Sequence, residues 1–152
     1  LEPVYPFTGP TYYPFQQWAG RTETQFSSPL GLMIHPQFGL WHSYRFGVIL
    51  SDLFDTNPRV DINPCLNCTD QPCLNTCPIA AFGAEGYDVD SCADFLNSDP
   101  TVGCHQQGCQ ARLACPVGSS FRYETDQHLF HLEAFLQSRA AADWTAVNPI
   151  KE

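Results

Sequence analysis

An α+β fold is the architecture this sequence predicts, and three observations predict it. Two runs rich in β-branched and aromatic residues, Gly31 to His35 and Trp41 to Leu50, flank Pro36-Gln37-Phe38-Gly39. That is a β-hairpin signal, with Gly39 able to take the positive φ of a tight turn. All eight cysteines fall between residues 65 and 116, a region read as loops and short helices. Tyr123 to Ala142 then carries the best helical pattern of the chain, with Leu129, Leu132, Phe135 and Leu136 on one face. The N-terminal hairpin is expected to pack on the cysteine-rich region, and the C-terminal helix to close over the core.

At 152 residues the chain is long enough for one domain with a real core and too short for two large ones. The expected single domain, 1–152, divides into an aromatic arm and hairpin (1–50), a connector (51–64), the cysteine region (65–118), a packing helix (119–142) and a loosely held tail (143–152). The arm is rich in proline and aromatics, among them Tyr5, Phe7, Tyr12, Tyr13, Phe15 and Trp18. One short helix is expected near Pro14 to Arg21, with Pro14 in its first turn. Aromatics without basic neighbours suit packing of an extended arm onto a core better than stacking on nucleic-acid bases.

In the second hairpin run Trp41, Ser43, Arg45, Gly47 and Ile49 alternate with His42, Tyr44, Phe46, Val48 and Leu50, so one face is mostly apolar. His35 and His42 read as hydrogen-bonded residues near a turn rather than as ligands. The connector is polar and punctuated by Pro58 and Pro64. Around Cys92, the segment Tyr87 to Asn97 reads as a short helix capped by Asp88 or Asp90. A cysteine in its first turn would have its thiolate favoured by the helix dipole and free N–H groups. Thr125 is a plausible cap for the C-terminal helix, on which His128 and His131 lie three apart with no carboxylate or cysteine in register to complete a metal site.

Charge narrows the range of functions. Seven Lys and Arg stand against sixteen Asp and Glu, a formal net charge of −9, which argues against nucleic acid as the main partner. No apolar run approaches the length needed to span a bilayer, so no membrane anchor is expected within these residues; a targeting segment before Leu1 stays open.

The cysteines carry the chemistry. Cys65, Cys68, Cys73 and Cys77, followed by Pro78, read C-x2-C-x4-C-x3-C-P, and Cys92, Cys104, Cys109 and Cys115, followed by Pro116, form a second set. Thiolates this dense can wrap a compact inorganic core that takes one sulfur per iron. Structural zinc sites pair C-x2-C knuckles across a spacer, which the crowding of four cysteines between 65 and 77 and the Cys-Pro endings suit poorly. His105 follows Cys104 and could replace a cysteine as ligand, though eight thiols leave no need for it.

The stretch Pro64 to Pro78 resembles the cluster loops of bacterial ferredoxin-type electron-transfer proteins. The wider layout is similar to the C-terminal iron-sulfur half of epoxyqueuosine reductase and, more distantly, of reductive dehalogenases: an apolar hairpin, a four-cysteine loop, an isolated helix cysteine, then Gly103-Cys104 and Cys115-Pro116. The resemblance spans residues 28 to 118 and is specific at the cysteines. It implies two interlocked 4Fe-4S clusters, because in two-cluster ferredoxins the fourth cysteine of each run ligates the other cluster. Carried over, Cys65, Cys68, Cys73 and Cys115 would hold one and Cys77, Cys92, Cys104 and Cys109 the other. The second loop departs from the family with x4 and x5 spacings. The corrinoid-binding domain of those reductases has no counterpart in the thirty residues before the hairpin, so cobalt catalysis does not carry over.

The expected function is that of an electron carrier rather than a catalyst, cytoplasmic because thiolates imply a reducing compartment. Its partners would be redox proteins with a basic docking surface, met through steered encounters, with no nucleic acid or membrane involved. Two alternatives stay open: the iron-sulfur portion of a reductase whose catalytic cofactor lies elsewhere, and a structural zinc module.

Overall fold

The computed structural model describes residues 2–9, 12–52 and 62–140. Short helices and two-stranded antiparallel sheets make up the chain, an α+β composition. The described residues divide into two compact units, one drawn from 2–28, 32–69 and 116–121, the other from 29–31, 70–115 and 122–140. The division falls inside the cysteine region, after Thr69, and returns residues 116–121 to the first unit.

In the first unit, β1 (Glu2–Val4), α1 (Phe15–Thr22), β2 (Phe26–Ser27), β3 (Met33–Ile34) and β4 (Gly47–Ile49) follow one another. The expected helix forms as α1, one residue later than expected, with Pro14 as its N-cap residue rather than in its first turn. The expected hairpin is corrected. Its turn forms, since His35 and Gly39 exchange backbone hydrogen bonds of 3.0 and 2.8 Å and Gly39 takes φ +60°. The two runs do not pair beyond that bridge. Instead β3 pairs with β2, Phe26 opposite Ile34, and β4 pairs with β1, Val4 opposite Gly47.

The reason lies at Leu40 and Trp41, only 3% and 5% exposed. Successive strand residues point to opposite faces, so a half-buried strand cannot bury both. The Trp41 amide bonds back to the Phe38 carbonyl (3.1 Å), and the chain leaves the ladder. The apolar face expected of the second run is accordingly open to solvent at Phe46 (58%), Val48 (45%) and Leu50 (43%). Among the described residues of this unit, Val4, Ala19, Ser28, Ile34, Leu40 and Trp41 are buried. Gly39 lies against the backbone at Val117, where any Cβ would collide with the Val117 carbonyl.

The second unit holds α2 (Pro72–Asn75), a miniature hairpin of β5 (Phe82–Gly83) and β6 (Gly86–Tyr87), α3 (Val89–Ser98), α4 (Gly103–Gln107), α5 (Gln110–Leu113) and α6 (Thr125–Ala140). Asp88 caps α3 as expected, accepting from the Ser91 amide at 3.0 Å and its hydroxyl at 2.7 Å. Thr125 is the first residue of α6 rather than its cap; the Glu124 carbonyl accepts the amides of Gln127 and His128. On α6, Leu129, Leu132, Phe135 and Leu136 are half-buried as the pattern predicts, but the fully buried residue is His128.

Helix α2 packs on α5, and α4 packs on both α5 and α6. Between α4 and α5 the chain turns at Gly108, φ +91° and ψ −173°, a conformation essentially restricted to glycine. A Cβ there would stand 2.7 Å from the His128 Cβ. The expectations for 53–61 of the connector and for 141–152, the end of the helix and the tail, lie outside the described residues.

Candidate metal centre

Buried residues of the second unit are small: Ala81, Ala93, Leu96, Cys104, Ala111 and Cys115, with Leu30 and His128 beside them. Apart from Leu30 and Leu96, sulfur and methyl groups line this interior rather than the large aliphatic side chains that fill an ordinary core.

Four sulfurs arrive from separate segments. Cys77 follows α2 and sits before the turn at Ala80, a residue at φ +51° whose amide bonds the Cys77 carbonyl at 3.1 Å. That turn aims the Ala81 amide at the Cys77 Sγ, 3.4 Å away. Cys92 lies one turn into α3, Cys104 is buried on α4, and Cys109 is the N-cap residue of α5. Each of Cys77, Cys92, Cys104 and Cys109 lies within electrostatic range of others in the set.

The surroundings act on these thiols in opposite directions. Burial pushes the Cys92 thiol up, the Tyr87 hydroxyl pulls it down by hydrogen-bonding to the sulfur, and the neighbouring Cys77, Cys104 and Asp88 charges raise it again. Burial likewise raises Cys109; the backbone amides of Arg112 and Ala111 lower it by donating to the sulfur, and Cys104 and Cys92 oppose them. The dipole argument for Cys92 is therefore outweighed by desolvation.

Tyr87 is the residue beside these sulfurs that the cysteine pattern does not reveal. Its ring stacks on Phe82 at 4.6 Å and 17°, with Phe135 of α6 6.5 Å away. Its hydroxyl is raised far above the ordinary tyrosine range, by burial first and then by the bond to Cys92 and the nearby Cys109 and Cys77. The signal that could have found it is local: two glycines, Gly83 and Gly86, between Phe82 and Tyr87 make a tight hairpin. The Asp88 amide closes that hairpin onto the Ala81 carbonyl at 2.8 Å. A single short element thus connects the Cys77 turn to the Cys92 helix.

The other four cysteines are divided between the units. Cys65 and Cys68 belong to the first, in a turn where the Cys65 amide bonds Asn63 Oδ1 (3.0 Å) and the Cys68 amide bonds the Cys65 carbonyl (3.3 Å). Cys73, on α2, and the buried Cys115 belong to the second; the Cys115 carbonyl accepts from Arg122 (3.2 Å). No disulfide joins any of the eight.

The histidines have structural employment. His105 Nε2 bonds the Leu96 carbonyl at 2.8 Å, tying α4 to the end of α3. His35 Nδ1 accepts the amides of Gln37 and Phe38 at 3.0 and 3.2 Å, and His42 Nδ1 lies 3.1 Å from the Gly39 carbonyl. His128 and His131 both meet the Tyr123 ring.

An all-sulfur donor set suits zinc or iron-sulfur chemistry. Among the described residues, no three His, Cys, Asp or Glu side chains are arranged to hold a single metal ion. A cubane carries four irons and four sulfides between its ligands, so its thiolates stand further apart than those around one ion. Amide and hydroxyl donors aimed at the sulfurs fit thiolates that keep their charge.

No family model, curated protein or solved structure matches this chain. Among the described residues no helix is long and apolar enough to cross a membrane.

Proposed function

We propose that the chain is an electron-transfer protein of the two-cluster ferredoxin kind. One 4Fe-4S cluster would be held by Cys77, Cys92, Cys104 and Cys109, the other by Cys65, Cys68, Cys73 and Cys115. What supports the reading is that Cys77, Cys92, Cys104 and Cys109, carried by four separate segments, each lie within electrostatic range of at least one other of the set, in an interior of mostly small residues. The second set rests on its sequence spacing.

Bound there, such a cluster supplies one-electron exchange. The chain's own residues set the conditions. The Ala81, Ala111 and Arg112 amides and the Tyr87 hydroxyl donate to sulfur, which favours the more negative state of the centre. Phe82 and Phe135 pack on the Tyr87 ring beside it, and Leu96 is buried nearby. In the first unit Leu66, between Cys65 and Cys68, is 83% exposed and Ile62 is exposed as well. These offer apolar contact to a redox partner, and the net charge of −9 favours one with a basic rim. Thiolate ligation would favour a reducing compartment.

The test is iron and acid-labile sulfide per chain on protein purified without oxygen, with visible and EPR spectra before and after dithionite. About eight of each, with bleaching on reduction, is expected for two cubanes. Cys104→Ser should remove about half of the iron. Zinc without sulfide would overturn the reading in favour of a structural role.

A further inference from the structure

The first unit contains a cleft of about 420 Å³ between α1 and the β1–β4 pair, within the range of small-molecule sites. Its walls are Phe15, Trp18, Tyr44 and Phe46 around Val4, and Glu23 is the one ionised side chain in its lining. Phe15 and Trp18 pack with centroids 5.5 Å apart. The floor is kept open by Gly47, where a Cβ would press on Val4 at 3.3 Å and on the Phe15 ring at 3.7 Å.

Polar groups at the mouth are arranged as acceptors. The Tyr44 hydroxyl gives its proton to Glu23 Oε2 at 3.0 Å, and the Thr22 hydroxyl gives its own to the backbone carbonyls of Trp18 and Ala19. Neither hydroxyl donor is left for a carbonyl or an anion. Glu23 is the C-cap residue of α1, where its charge adds to the negative end of the helix dipole instead of opposing it. Among the described residues no cationic side chain lies within ion-pair distance of it. His35, which feels the Glu23 charge, is held below the ordinary histidine range by burial and by His42.

We propose that this cleft binds a quaternary ammonium headgroup, with the aromatic rings as walls and Glu23 as counter-charge. The faces of Trp, Tyr and Phe attract a cation, and a methylated ammonium needs no hydrogen-bond acceptor while exposing apolar methyls to the rings. The proposal is independent of the cysteines.

The experiment titrates choline and its neutral carbon isostere, 3,3-dimethylbutan-1-ol, into the full chain, following the Trp18 indole and Gly47 amide resonances by NMR. Saturable shifts with choline are expected, with the isostere binding at least tenfold more weakly. Glu23→Gln, at an exposed position, should erase that preference. Phe46→Leu keeps apolar volume but removes a π face, and should weaken choline severalfold while leaving the isostere unchanged. Absence of saturable shifts, equal binding of the two probes, or an undiminished preference in Glu23→Gln would each overturn the proposal. Circular dichroism melts of both variants verify that they fold.

Discussion

Replacing Gly108 with alanine tests whether α6 holds the Cys104–Cys109 segment in place. Two separate penalties apply. The backbone at φ +91°, ψ −173° costs a side-chain-bearing residue about 1–3 kcal/mol. The new Cβ would stand 2.7 Å from the His128 Cβ and 3.0 Å from its ring, and His128 is only 5% exposed. Overpacking of that kind costs about 1–3 kcal/mol more. The sum, about 2–6 kcal/mol, corresponds to a fall in Tm on the order of 10 °C for a chain of this size.

Gly31→Ala isolates the backbone part, because Gly31 is at φ +72° with nothing within 4 Å of a Cβ; it should cost about 1–2 kcal/mol. The assay is anaerobic thermal unfolding followed by circular dichroism at one scan rate, with iron per chain measured alongside. Gly108→Ala should melt well below Gly31→Ala and retain less iron. Should the two variants melt within about 3 °C of each other, the His128 contact does not brace the segment and the reasoning fails.

Three further outcomes are expected. Tyr87→Phe removes a donor from Cys92 and should lower the midpoint potential of one cluster by up to roughly 60 mV, a tenfold change in a one-electron couple; an EPR-monitored redox titration with unchanged iron content reads this, and an unchanged potential refutes the role given to the hydroxyl. His35 is held below the ordinary histidine pKa by burial and by His42, so the folded chain resists a proton that the unfolded chain accepts. Stability present above about pH 6.5 is then lost as pH falls through the lower folded value, and His35→Asn, which keeps an acceptor for the Gln37 and Phe38 amides, should flatten that part of the pH–stability curve. Stripping iron under anaerobic chelation should abolish amide-exchange protection in α3, α4 and α5 while leaving that of β2 and β3 in place; equal protection before and after would show that the small-residue interior is self-sufficient.

Local chemistry was legible in the sequence wherever one residue decides a conformation. Pro14 marks the start of α1, Asp88 caps α3, and Gly39 takes the positive φ of its turn. Strand pairing was not legible, because it depends on which partners compete. The run 41–50 alternates well enough to be half of a hairpin, yet the consecutive burial of Leu40 and Trp41 breaks the ladder, and β4 pairs with the N-terminal arm instead. That arm, read as a packing segment, becomes the strand β1.

At the candidate centre the cysteines could be picked out by spacing, whereas Tyr87 and the Gly108–His128 contact could not. Their roles arise from neighbours five and twenty residues distant in the chain. His128 also shows why a helical pattern of leucines misidentifies the buried residue: the most enclosed position on α6 is set by the close approach of a glycine, not by hydrophobicity.

The opposing influences on the sulfurs bear on what the site is built to hold. Desolvation and mutual repulsion push the Cys92 and Cys109 thiols up, which on its own would favour four neutral, inert thiols. Neutral thiols do not need the donors that surround them. Yet the Ala81 amide points at Cys77, the Tyr87 hydroxyl at Cys92, and the Arg112 and Ala111 amides at Cys109. Donors held in place by a hairpin and by a helix N-terminus interact more strongly with an anion than with a thiol. The proposed polycationic core among the sulfurs would reconcile the two: it would supply the charge that stabilises thiolates against burial and against one another, and would leave the surrounding donors to adjust the energy of an added electron. The β5–β6 hairpin, lying between the Cys77 turn and the Cys92 helix, would then have two functions that cannot be separated by deletion, since it would position the two proposed ligands Cys77 and Cys92 and, through Tyr87, bond to the second. Point changes at its donors, rather than removal of the element, are what distinguish tuning from assembly.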